Sequence, residues 1–223
     1  SKKESQQWRN TWDLLIAISS FLSAFLWGVA VSNLMTGVPI DADMQFAGNF
    51  FTLLTPFTIF GGVVFVLLFA FHGALFLKLK AGSDAVLNRV KALADKLGLV
   101  LVVAVVIWVV LAYLLTDVYS GVLALVLVAL AAVALVASVV LQLKDKKGFS
   151  FIAMFLAILC VTASVFAGMF PNVMISTLDP SWSLTIYNAS SSPYTLKIMT
   201  VVAFTLVPIV LLYQSWNYYV FRK

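Results

Sequence analysis

The stretch GVLALVLVALAAVALVASVVL, Gly121–Leu141, decides what kind of molecule this is. It carries no charge and no proline, and it is rich in Val, Leu and Ala. A helix needs roughly 20 such residues, at about 1.5 Å each, to cross a bilayer core of about 30 Å. This run therefore reads as a plain spanning helix.

The rest of the chain repeats that pattern. Apolar runs lie at about 12–35, 50–77, 97–115, 120–143, 150–169 and 194–221. The 223 residues are 63% hydrophobic and only 10% charged, with a mean hydropathy of +1.07. Soluble domains are about 25% charged. Membrane barrels would show alternating segments of about ten residues, a pattern foreign to these runs. The expectation is an all-α integral membrane protein in which 1–223 is a single membrane domain. Six transmembrane helices form antiparallel bundles, residues 78–96 make a cytoplasmic amphipathic connection, and a long outer loop, 170–193, precedes the last helix.

Charge sets the orientation. Lys2, Lys3 and Arg9 precede the first run, and Lys78, Lys80, Arg89, Lys91 and Lys96 follow the second. Lys144, Lys146 and Lys147 follow the fourth, and Arg222 and Lys223 end the chain. In a six-pass topology all of these fall on one side, whereas the opposite loops carry Asp41, Asp43, Asp117 and Asp179. The positive-inside rule then makes both ends cytoplasmic. The net charge of +5 is accounted for by these short clusters, which suit a membrane surface better than nucleic acid.

Of the 14 basic residues, Lys197 alone breaks the rule. Ser192 and Pro193 read as N-cap and first residue of the last helix, which puts Lys197 about 6 Å along its axis. There a cation faces the positive end of the helix dipole. Two roles fit: snorkelling to the outer headgroups, or pairing with an acid such as Asp179, a partner's carboxylate or a cofactor's acidic group. His72, the single histidine, lies in FAFHGALFLKLK and is an intramembrane ionisable group. It could be a neutral imidazole bonded to a neighbouring helix, with Gly73 allowing close approach, or a proton relay, or a ligand. Asn49, Gln214 and Asn217 are candidates for bonds between helices, and Tyr119, Trp182, Tyr187 and Tyr194 for anchors at the outer boundary. Pro56 with Gly61-Gly62, and Pro208, are expected to bend their helices.

One histidine excludes a haem held by two histidines of this chain, and one cysteine, Cys160, excludes an internal disulfide and a cysteine-rich metal site. No phosphate loop, catalytic triad, paired carboxylates or zinc spacing is present, so neither catalytic nor metal-ligating residues are assigned.

Three blocks carry a family resemblance: WRNTWDLLIAISSFLSAFLWGVAVSNLMTGVP (8–39), GNFFTLLTPFTIFGGVVFVLLFAFHGALFLKLK (48–80) and AGMFPNVMISTLDPSWSLTIYNASSSPYTLKIMTVVAFTLVPIVLLYQSWNYYVFRK (167–223). GNFF, HGA, GMFPNVM and NASSS-x-YTLKIMT, in that order, make it specific. Together they resemble subunit II of the cytochrome bd family of quinol oxidases, with 97–165 matching mainly in hydropathy. The resemblance implies a bacterial or archaeal cell membrane enzyme that oxidises quinol and reduces oxygen to water in aerobic respiration. It implies haems in a partner, subunit I, and none bound by this chain alone. A quinone is a candidate ligand, and a small accessory subunit a candidate further partner. Subunit II would support assembly rather than catalyse.

Family members resemble nine-helix chains, and this sequence lacks the equivalent of the first three helices. A proton-delivering acidic stretch similar to WDGNEVW would lie there, so no residue here inherits that role. Two other functions compete. A secondary transporter would suit the broken helices, though no acid lies near the middle of any pass. A structural membrane anchor would suit the missing catalytic set.

Overall fold

The computed structural model describes residues 6–221. Lys2, Lys3, Arg222 and Lys223, which contribute to the charge asymmetry, lie outside the described residues. Six helices are long and apolar enough to span a membrane: α1 (Gln6–Thr36), α2 (Pro56–Lys80), α3 (Asp84–Leu115), α4 (Val122–Leu143), α5 (Lys147–Met169) and α6 (Pro193–Val220). Among the described residues, strands are confined to two short segments, Asn172–Met174 and Leu184–Thr185.

The chain divides into two compact units at Leu184 and Thr185. In the first, α2 is central: it packs on α1, α3 and α5, while α4 packs on α5 and α3. Six of the seven buried residues of α4 follow one stripe, Ala124, Val128, Ala131, Leu135, Ser138 and Gln142. That alternation of four and three residues is the geometry of a helix meeting its neighbours along a single seam. Between α4 and the facing α5, the Ser138 hydroxyl donates to the Ser150 carbonyl at 2.8 Å and the Ser150 hydroxyl to the Ser138 carbonyl at 2.9 Å. Both serines are fully buried, so each hydroxyl finds a backbone acceptor that lipid could not provide.

Several elements differ from the sequence expectation. Residues 50–53 form a separate 3-10 turn, capped by Asn49, and α2 starts only at Pro56. Pro56 does not bend that helix, because it is the first helical residue, where its missing N–H is not needed. Thr55 caps it by accepting from the Thr58 N–H at 3.2 Å. Residues 78–96 are not a separate amphipathic connection: α2 runs to Lys80, and after three residues α3 begins at Asp84 and continues unbroken to Leu115. Ser83 occupies the cap position of α3 without a side-chain cap bond.

Gly61 and Gly62 are where α1 crosses α2. A Cβ on Gly61 would strike the Ser32 hydroxyl, and one on Gly62 would strike the Phe25 ring. The Trp108 indole N–H donates to the same Ser32 hydroxyl at 3.3 Å, joining α3 to this crossing. Gly73, expected at a close approach, faces open space.

The outer loop is tied to the segment after α1. Val38 donates to the Ile175 carbonyl at 2.9 Å and accepts from Thr177 at 3.1 Å. The buried Ser176 hydroxyl donates to the Ile40 carbonyl at 2.8 Å. Gly37 makes this approach possible, since its φ of +81° and the nearby Ile175 carbonyl both exclude a side chain.

In the second unit, α6 opens on Ser192, whose hydroxyl accepts from the Thr195 N–H at 3.3 Å, with Pro193 as its first residue. The helix runs through Pro208, and within this unit none of its described residues is buried.

Candidate functional site

The most developed polar constellation lies where the α2–α3 and α4–α5 turns meet. Lys78 belongs to the buried stripe of α2 that also contains Val64, Leu68, Phe71 and Leu75. Its side chain is only 1% exposed, and its ammonium lies 2.6 Å from Asp145 Oδ1. The ammonium also donates to Gln142 Oε1 at 3.0 Å, and Gln142 Nε2 in turn donates to Asp95 Oδ1 at 3.0 Å. Lys91 approaches Asp145 from α3 at 3.9 Å. Four segments thus share one network, and the buried cation has both a charged and a neutral acceptor, as burial requires.

Asp145 sits in the turn with φ of +59°, a left-handed conformation that Asp tolerates better than most residues. Hydrogen bonding from Lys78, reinforced by its charge, holds the Asp145 carboxyl below the usual carboxylate range. The carboxylate itself is half exposed. The network holds no nucleophile or redox group, and its chemistry is that of a clamp. Sequence reasoning placed Lys78 among the surface charges and passed over Gln142. The signal was their position: each falls on the apolar stripe of its helix.

The residues singled out from sequence are scattered. His72 in α2 stacks on Phe151 of α5, with ring centroids 4.7 Å apart, and its buried Nδ1 has no hydrogen-bond partner among the described residues. The imidazole therefore meets the neighbouring helix through a ring face rather than a hydrogen bond. Asn49 is exposed, and its side chain accepts from the Thr52 N–H at 3.1 Å as a local cap. Asp179 accepts from the Ser181 N–H at 2.8 Å and hydroxyl at 2.6 Å. These two bonds lower its pKa. Lys197 and Gln214 are exposed on α6, and neither has a salt bridge or side-chain hydrogen bond among the described residues. Tyr119 does not anchor at the boundary: it is 1% exposed, enclosed in the turn between α3 and α4.

Among the described residues no three His, Cys, Asp or Glu side chains converge to hold a bare metal ion, and the one imidazole lies against a phenyl ring. Axial ligation needs a nitrogen or sulfur aimed at open space over a flat cavity. A cavity of about 310 Å³ between α2, α3, α4 and α5 is lined by neither His72 nor any methionine or cysteine.

The family model described as cytochrome bd terminal oxidase subunit II matches residues 1–221. The chain is similar to cytochrome bd ubiquinol oxidase subunit 2 of Bacillus subtilis (strain 168), 34% identical over 100% of this chain and 66% of that protein. It is 33% identical to cytochrome bd-I ubiquinol oxidase subunit 2 of Escherichia coli (strain K12), over 98% of this chain and 67% of that one. A probable cytochrome oxidase subunit 2 of Haemophilus influenzae is 29% identical, over 98% of this chain. The chain therefore spans about two thirds of the length of these relatives.

Proposed function

We propose that this chain, which belongs to the cytochrome bd terminal oxidase subunit II family, serves as the non-haem subunit of a respiratory quinol:oxygen oxidoreductase. The observation that carries this reading is the family match across residues 1–221. The complex oxidises quinol and reduces oxygen to water, and a haem-bearing subunit I performs that chemistry. The present chain supplies a membrane scaffold that supports its assembly. The poor fit of its own side chains to haem supports this division of labour.

The protein resides in a bacterial cell membrane as a multi-pass chain with both ends of this sequence cytoplasmic. The Lys78–Asp145 pair joins the α2–α3 and α4–α5 turns, so Lys78, Lys80, Lys144, Lys146 and Lys147 lie at one end of these helices, which supports that orientation. A small accessory subunit and a quinone complete the proposed partners, with an apolar surface of the assembly accommodating the quinone tail. Lys197 is the candidate for an electrostatic contact with an anionic group of the complex at the outer face. Its exposure on α6 leaves it available for such a contact.

The test is purification of the tagged full-length subunit from native membranes. A haem-bearing membrane subunit retained in stable proportion supports the proposal. Isolation of the subunit alone, with no haem protein bound, contradicts it.

A further inference from the structure

We infer that the α4–α5 turn binds the headgroup of an anionic phospholipid, with an acyl chain laid along the exposed face of α5. The turn, KDKK at 144–147, carries three lysines and one acid. That acid is already engaged, because Asp145 holds Lys78 at 2.6 Å and meets Lys91 at 3.9 Å. Among the described residues Lys144, Lys146 and Lys147 have no acid within ion-pair distance. The adjoining segment 78–96 does not relieve them. Its five basic residues outnumber its two acids, Asp84 and Asp95, and Asp95 accepts from Gln142. This end of the bundle is short of negative charge.

Depth sets these cations at the level of lipid phosphates. The 22 residues of α4 span about 33 Å at about 1.5 Å each, which matches a bilayer core of about 30 Å. Lys144 follows the last residue of α4, and Lys147 opens α5. A groove of about 450 Å³ lies here, lined by Asp145, Lys146, Lys147, Gly148, Phe149 and Ile152. From it an apolar stripe descends α5 through Phe149, Ile152, Leu156 and Leu159, which are 45–69% exposed. Their spacing of three, four and three residues keeps them on one face, over about 15 Å of helix. Cations thus stand above a run of hydrocarbon, in the same order as the groups of a phospholipid. An acidic protein segment matches the lysines alone. A zwitterionic lipid matches the stripe but brings no net negative charge. Each lysine near an anionic lipid surface is worth about fivefold in binding, so three of them select strongly for the anionic lipid.

The experiment uses the full-length subunit in its native assembly, reconstituted in phosphatidylcholine nanodiscs. A trace of phosphatidylglycerol or of phosphatidylcholine, each with a diazirine on the acyl chain, is photolysed and the labelled peptides are located by mass spectrometry. Phosphatidylglycerol is expected to label residues 148–159 at least about fivefold more than phosphatidylcholine does. Lys144→Gln with Lys146→Gln and Lys147→Gln, which leaves Lys78 and Asp145 in place, is expected to abolish that preference. Equal labelling by the two lipids overturns the proposal, as does a preference that survives in the triple variant. Absence of labelling by either lipid also overturns it and assigns the turn to a protein partner. Should the triple variant fail to assemble, salt decides in the wild type. Raising it from about 0.05 M to about 0.5 M is expected to reduce the preference at least twofold, and a preference unmoved by salt contradicts the proposal.

Discussion

Lys78 and Asp145 form a 2.6 Å ion pair in which one partner is buried and the other half exposed. The asymmetry matters because the two ends depend on the contact differently. Asp145 can be solvated by water if the lysine is removed, whereas Lys78 has only Gln142 left if the carboxylate is removed. The pair joins the end of α2 to the α4–α5 turn, and through Gln142 and Asp95 it reaches α3. It is therefore the polar closure of the α2–α5 bundle.

Asp145→Asn should consequently destabilise the protein more than Lys78→Met, although Asp145 is the more exposed residue. A melting midpoint in detergent lower by about 5 °C or more is expected for Asp145→Asn, with a smaller drop for Lys78→Met. The sign of the pH effect follows from the lowered Asp145 pKa. Its stabilisation is complete above the ordinary carboxylate pKa of about 3.9 and is lost as pH falls through the lower folded value. The difference in stability between wild type and Asp145→Asn should thus be constant near neutrality and shrink only in strong acid. A difference that already shrinks between about pH 5 and pH 7 would assign the effect to another group.

Gly61 and Gly73 should respond oppositely to alanine. At Gly61 the added methyl meets the Ser32 hydroxyl and the Trp108 indole, and overpacking of this kind costs about 1–3 kcal/mol. At Gly73 nothing lies within 4 Å, so Ala should stabilise α2 by about 0.5–1 kcal/mol. Unfolding in mixed detergent micelles distinguishes the two.

His72→Ala should leave every haem absorption band of the assembled complex unchanged, because the His72 ring stacks on Phe151. Loss of one band with assembly intact would make His72 a ligand.

Lys197→Gln should weaken the complex or slow quinol oxidation if this exposed lysine contacts an anionic group. Thermal dissociation of the detergent-solubilised complex and its turnover are the readouts. Unchanged values in both would leave Lys197 as a snorkelling side chain.

Hydropathy made six spanning helices legible, and the residues Ser192 and Pro193 marked the start of α6 correctly. Periodicity held more than local composition suggested. Lys78 continues the spacing 64, 68, 71, 75, and Gln142 ends the stripe that begins at Ala124. A charge next to an apolar run resembles a boundary marker whether it is solvated or buried. Only its angular position on the helix separates the two cases. Gly61 and Gly73 show the same limit: each permits close approach, and only the placement of α1 decides which glycine receives it. The α1–α2 connection was opaque because Asn49 caps a separate four-residue turn and Thr55 caps α2 within what reads as one apolar run.

Quinol-driven oxygen uptake by the complex purified through a tag on this subunit is the most direct test of its proposed role. Uptake that accompanies a haem spectrum, and that disappears when subunit I is lost from the preparation, is the expected result. Substrate transport by vesicles containing this subunit alone, with no oxygen consumption by any complex it enters, would contradict it.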